Sequence, residues 1–69
     1  MFKLWELFNA NLNWDSNTVL DIEVSRENTE EHKMERVDAK KSTYRELDEK
    51  WWFYTVSCFV GNKVYLIEE

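Results

Sequence analysis

Proline is absent from this chain, and glycine, cysteine and histidine each occur only once in its 69 residues. With Gly61 as the sole glycine and no proline, there is little scope for long irregular loops, and none for a glycine-rich phosphate cradle. A single cysteine, Cys58, excludes an intrachain disulfide. It alternates with Val56 and Val60 in an apolar run, where a small buried hydrophobe is expected. A single histidine, His32, excludes a two-histidine metal site and leaves a histidine-based catalytic relay without parts. Glu31 and Glu35 lie within a helical turn of it, but no further ligand type converges on them in sequence. A solvated charged face explains them better than a metal. Serines are scattered without an accompanying base, so neither an enzyme nor a cofactor is expected.

Long apolar runs are also missing. No stretch approaches the length of a transmembrane helix. The Phe2–Phe8 cluster is interrupted by Glu6, so it does not form the apolar region of a secretion signal. The expectation is a cytoplasmic chain starting at its own Met1, with no membrane partner. Positive charge is in deficit, with 9 Lys and Arg against 14 Asp and Glu, a net charge of −5. Such a surface repels nucleic acid phosphates, so direct nucleic acid binding is not expected. Another protein with a basic surface, such as a nucleic-acid-handling protein, is the expected partner. The acids do not form a one-signed stripe of the kind that mimics phosphate: from Asp21 to Lys50, 10 acids are interspersed with 7 bases.

What the chain does contain is aromatic surface, with 4 Trp, 3 Tyr and 4 Phe, and 43% hydrophobic residues overall. That content argues against disorder and for one compact domain spanning 1–69. The segment from Lys50 to Glu69 reads as a β-hairpin. Two runs rich in aromatic and β-branched residues flank Gly61-Asn62, a pair suited to a two-residue type II′ turn. With Val60 opposite Lys63, the pairs Cys58–Tyr65, Val56–Ile67 and Tyr54–Glu69 share one face with Trp52. Trp51, Phe53, Thr55, Ser57 and Phe59 share the other with Val64, Leu66 and Glu68. Both faces are then substantially apolar.

Upstream, Leu20, Ile22 and Val24 alternate with Asp21, Glu23 and Ser25, an amphipathic strand. Ala10, Leu12 and Trp14 alternate with asparagines, and Asp15-Ser16-Asn17 is turn chemistry. These features predict a first hairpin over about 7–14 and 18–25. The opening Phe2–Phe8 is ambiguous: Leu4, Leu7 and Phe8 have helical spacing, whereas Trp5 and Leu7 could extend the strand. Between the hairpins, Asn28 with Glu31 resembles a capping box. Met34, Val37, Lys41, Tyr44 and Leu47 then recur at spacings of three and four. This predicts an amphipathic helix from about Thr29 to Glu49. A second box-like pair, Thr43 with Glu46, allows a break near Ser42.

The predicted fold is α+β, in the order strand-strand-helix-strand-strand. It is a small antiparallel sheet of about four strands with one amphipathic helix packed on one face. One helix cannot cover both faces of the C-terminal hairpin, so part of its apolar surface is left over, and such patches mark interfaces. Trp51, Phe53, Phe59 and Leu66 are the candidate binding residues. Base stacking on Trp51-Trp52-Phe53-Tyr54 is disfavoured, because only Lys50 and Lys63 lie near in sequence to supply a positive groove. Two functions fit. One is a non-catalytic module that docks on a larger protein and inhibits or modulates it. The other is a structural domain that forms a homodimer through its uncovered sheet face.

Overall fold

The structure, a computed structural model, describes residues 2–68. Its elements are a helix α1 (Leu4–Ala10), strands β1 (Leu20–Asn28) and β2 (Lys33–Ser42), a 3-10 turn (Glu49–Phe53), and strands β3 (Thr55–Val60) and β4 (Lys63–Ile67). The four strands form one sheet in the order β2-β1-β4-β3. The class is α+β, with one helix and four strands, as the sequence predicts. The sheet is mixed rather than wholly antiparallel. β1 runs parallel to β4, with Ile22 beside Val64 and Val24 beside Leu66, while the two outer pairings are antiparallel.

The central pair carries the core because it alone is flanked on both edges. Leu20, Ile22, Val24, Val64 and Leu66 point to one face and are essentially inaccessible. Leu4 and Leu7 of α1 close over them, with Trp14, Leu47, Trp51 and Val56. The helix is short, and its start is fixed from both sides. Glu6 Oε1 accepts a hydrogen bond from the Lys3 backbone N–H at 3.0 Å, a reach-back of the capping-box kind. The Leu4 N–H donates to the Tyr54 carbonyl at 3.0 Å, and the Val56 N–H donates to the Phe2 carbonyl at 2.7 Å. These bonds anchor the chain entering α1 along the outer edge of β3.

The sequence reading places the helix elsewhere, and the difference has a physical cause. Residues 33–42 form β2, paired antiparallel with β1. β2 is an edge strand, and every residue from Lys33 to Lys41 is exposed. With neither face buried, its sequence is under no pressure to alternate, so the spacing of Met34, Val37 and Lys41 is not the record of a helix. Its charges suit an edge that must not recruit another strand. The Asn28–Glu31 signal is real capping chemistry in a different setting. Asn28 Oδ1 accepts the backbone N–H groups of Glu30 and Glu31 at 3.1 and 3.2 Å, which builds an Asx turn into the β1–β2 hairpin. That hairpin turns through His32, at φ +54°.

Of the first predicted hairpin, the second strand is present as β1, whereas the first is replaced. Residues 4–10 are α1, and Asp15-Ser16-Asn17 forms its turn, with Asp15 Oδ1 accepting from the Asn17 N–H at 2.8 Å, inside a loop rather than between strands. The C-terminal hairpin is present, with Val60 opposite Lys63 and Cys58 opposite Tyr65. Gly61 sits at φ +59° while Asn62 is not in the positive region, the sign pattern of a type II′ turn. An irregularity between Val56 and Cys58 then shifts the register, so that Val56 faces Leu66 and Thr55 faces Ile67. The extra residue at Ser57 swaps the alternation. Val56 consequently joins Phe59, Val64 and Leu66 on the covered face instead of opposing them. The predicted Tyr54–Glu69 pair involves Glu69, which lies outside the described residues.

Candidate functional site

Three consecutive aromatics, Trp51, Trp52 and Phe53, were expected to alternate across a strand. They lie instead in the 3-10 turn, whose first turn is fixed by Asp48: its Oδ1 accepts the Lys50 N–H at 3.0 Å. At about three residues per turn, successive side chains fan out roughly a third of a circle apart. Trp51 enters the core, Trp52 is half-buried, and Phe53 is 60% exposed.

Trp52 packs with Phe8 of α1 and Tyr44 of the segment leaving β2. The Phe8–Trp52 rings are 5.4 Å apart and nearly perpendicular, at 84°. Tyr44 completes the triangle, 5.2 Å from each of the other two and tilted against both. Edge-to-face and tilted arrangements set a positive ring edge against a negative face and favour such contacts beyond area burial. Phe8 also touches Trp14 at 6.2 Å, and Trp14 touches Phe59 at 5.8 Å. A continuous aromatic seam thus runs beneath α1 to the end of β3.

Above the triangle lies an open cleft of about 240 Å³ between α1 and the 3-10 turn. Trp5 and Phe53 flank it, Phe8, Tyr44 and Trp52 line it, and Asn9 and Glu49 supply its polar groups. Trp5 is 45% exposed and Tyr44 49%. A second groove, of about 350 Å³, follows β3, bordered by Phe2, Leu7, Val56 and Phe59. There Phe2 bonds the outer edge of the sheet at Val56, and Ser57–Val60 are exposed.

The four residues singled out from sequence are not brought together as a surface. Leu66, 1% exposed, and Trp51, 6% exposed, belong to the core. Phe53 borders the aromatic cleft and Phe59, 44% exposed, borders the β3 groove. Cys58, expected to be buried, is exposed, because its partner Tyr65 lies on the uncovered face of the sheet and β3 is an edge. That uncovered face is dressed with charge, including the pairs Lys63–Asp21 at 3.4 Å and Arg36–Glu23 at 3.3 Å. Lys63 Nζ also sits 5.3 Å from the Tyr65 ring centre. The apolar excess of the hairpin is therefore met on this face by half-buried side chains and ions rather than by a second layer.

Trp5, Phe8, Tyr44 and Trp52 were missed as a cluster. The signal that could have found them is the helical spacing of Leu4, Leu7 and Phe8, which turns Trp5 away from the core. Among the described residues, no three His, Cys, Asp or Glu side chains gather as a metal site would require. Among the same residues, no helix is long and apolar enough to cross a membrane. Comparison with known protein families, with curated proteins and with solved structures returned no match.

Proposed function

We propose that this chain is a small acidic, non-catalytic binding module. In this reading it docks through its aromatic cleft onto a larger cytoplasmic protein with a basic surface, which it inhibits or modulates. The observation that carries the reading is the exposure of Trp5, Tyr44 and Phe53 around one cleft. Large aromatic side chains held on a packed base are the usual anchors of protein interfaces. The net charge of −5 favours a basic partner through steering and complementarity.

A second reading, self-association into a homodimer, is favoured by one feature. Ser57–Val60 carry no charge and lie exposed at the outer edge of β3, and an unblunted edge can pair with its own symmetry mate. The contact in that case is a strand edge rather than a sheet face.

Sedimentation equilibrium over a range of concentrations separates the two. The docking module is expected to stay monomeric. A dimer that Phe59→Lys dissociates would favour self-association. For a monomer, a partner captured on the immobilised protein is purified and its affinity measured. Phe53→Ser and Trp5→Ser are each expected to weaken it about tenfold or more, the range of an interface anchor, with the unfolding midpoint unchanged. Native affinity in both variants would remove the cleft from the proposal.

A further inference from the structure

We infer that the aromatic cleft receives an arginine side chain from a basic segment of the partner, its guanidinium lying against the rings and donating to Glu49. This deepens the docking reading above and rests on it. The walls of the cleft are π surfaces: Trp5, Phe8, Tyr44, Trp52 and Phe53. Glu49 is the only charged group lining it, and among the described residues the Glu49 carboxylate forms no ion pair.

The combination selects its occupant by exclusion. An apolar side chain would cover Glu49 and Asn9 without replacing their hydration, and an unpaired carboxylate is costly to bury. An acidic side chain would meet Glu49 and the field of a net −5 molecule. A cation satisfies both the carboxylate and the ring faces, whose quadrupole attracts positive charge. Arginine fits better than lysine because its planar group stacks on aromatic faces, is more weakly hydrated and presents several donors in a fixed fork. The protein already pairs a cation with a carboxylate and a ring elsewhere: Lys63 contacts both Asp21 and Tyr65.

The test uses the whole chain, labelled with ¹⁵N, and two probes: the peptide acetyl-Gly-Arg-Gly-amide and its citrulline counterpart, a neutral near-isostere. The arginine peptide is expected to shift the indole N–H signals of Trp5 and Trp52 saturably, while that of buried Trp51 moves least. The citrulline peptide is expected to bind about fivefold more weakly or worse. Glu49→Gln should weaken the arginine peptide more than the citrulline peptide and so narrow the gap between them, the remainder being the attraction of the ring faces for the cation. Glu49 is exposed, so this variant keeps the fold, and its spectrum reports that directly. Equal shifts from the two peptides would overturn the assignment of a cation while leaving an apolar docking cleft intact. Absence of any shift from the arginine peptide at millimolar concentration would also overturn it. The docking proposal itself fails separately, if Phe53→Ser and Trp5→Ser both bind the purified partner like the native chain.

Discussion

Trp51 and Phe53 are two residues apart in the chain, and they are expected to behave oppositely on substitution. Trp51 is 6% exposed and packed among Leu4, Val64 and the other core residues, whereas Phe53 is 60% exposed. Trp51→Ala removes a large ring from a packed interior and is expected to destabilise the fold by about 3–5 kcal/mol. That is a large share of the total stability of so small a domain. Phe53→Ala should stay within about 0.5 kcal/mol of the native chain, as surface substitutions do. Urea denaturation followed by tryptophan fluorescence or circular dichroism measures both. Similar losses for the two variants would mean that the 3-10 fan is wrongly oriented. The same contrast applies to Leu66, a binding candidate from sequence, where Leu66→Lys would not probe an interface. That side chain is 1% exposed, so a charge there would attack the core itself.

At the scale of the element, the β3–β4 hairpin depends on Gly61. Its φ is +59°, and a Cβ added there would meet nothing within 4 Å. Any penalty for Gly61→Ala is therefore conformational rather than steric crowding. It is expected to cost roughly 1–2 kcal/mol, the range for an L-residue held in left-handed backbone. Gly61→Asn should cost less, because asparagine tolerates that region. Thermal unfolding of the two variants checks the order, and an equal or reversed ranking would remove the backbone explanation. Asn62 adds a second constraint. Its side-chain amide donates to the Val19 carbonyl at 2.8 Å, and its own carbonyl accepts the Asp21 N–H at 2.9 Å. The turn is thus bound to the start of β1 and helps to set the parallel register.

The same elements show which features are legible in a single sequence. The Gly61-Asn62 turn and the Leu20–Ser25 alternation could be read because each is a local rule: a turn type, or a strand with one buried face. The parallel pairing of β1 with β4 joins residues about 42 apart, as in Asp21–Lys63, and no local pattern encodes such a partner. β2 was hidden because an edge strand exposed on both faces has no period. The bulge at Ser57 was hidden because one inserted residue leaves composition unchanged while reversing every face assignment before it. Of the candidate site, Phe53 and Phe59 were legible as surplus aromatic surface. The Trp5–Tyr44 cleft was not, since it needs α1, the end of β2 and the 3-10 turn at once.

At the scale of the whole molecule, the distribution of packing is uneven. A compact chain of this length has a radius of gyration of about 11 Å, whereas this one has 11.9 Å and measures 39 × 21 × 20 Å. The elongation matches a two-stranded ribbon. Pairing of β1 with β4 ends at Ser25–Ile67, yet β1 and β2 continue together to Asn28 and Lys33. The ribbon beyond that point is exposed almost throughout, and no residue in it belongs to the buried core. A two-stranded hairpin without a covered face is marginally stable in water. Native-state hydrogen exchange should therefore divide the sheet. Amides of Arg26–Asn28 and Lys33–Glu35 are expected to exchange through low-energy local opening, whereas those of Ile22, Val24, Val64 and Leu66 need opening that approaches global unfolding. Equal protection along the whole of β1 would show that something covers the ribbon in solution, and the most direct candidate would be a second copy. The aromatic cleft lies on α1, Tyr44 and the 3-10 turn, elements that pack on the protected core rather than on the ribbon. Fraying of the ribbon would therefore leave the cleft pre-formed, which in the proposed docking would keep the entropic cost of binding low.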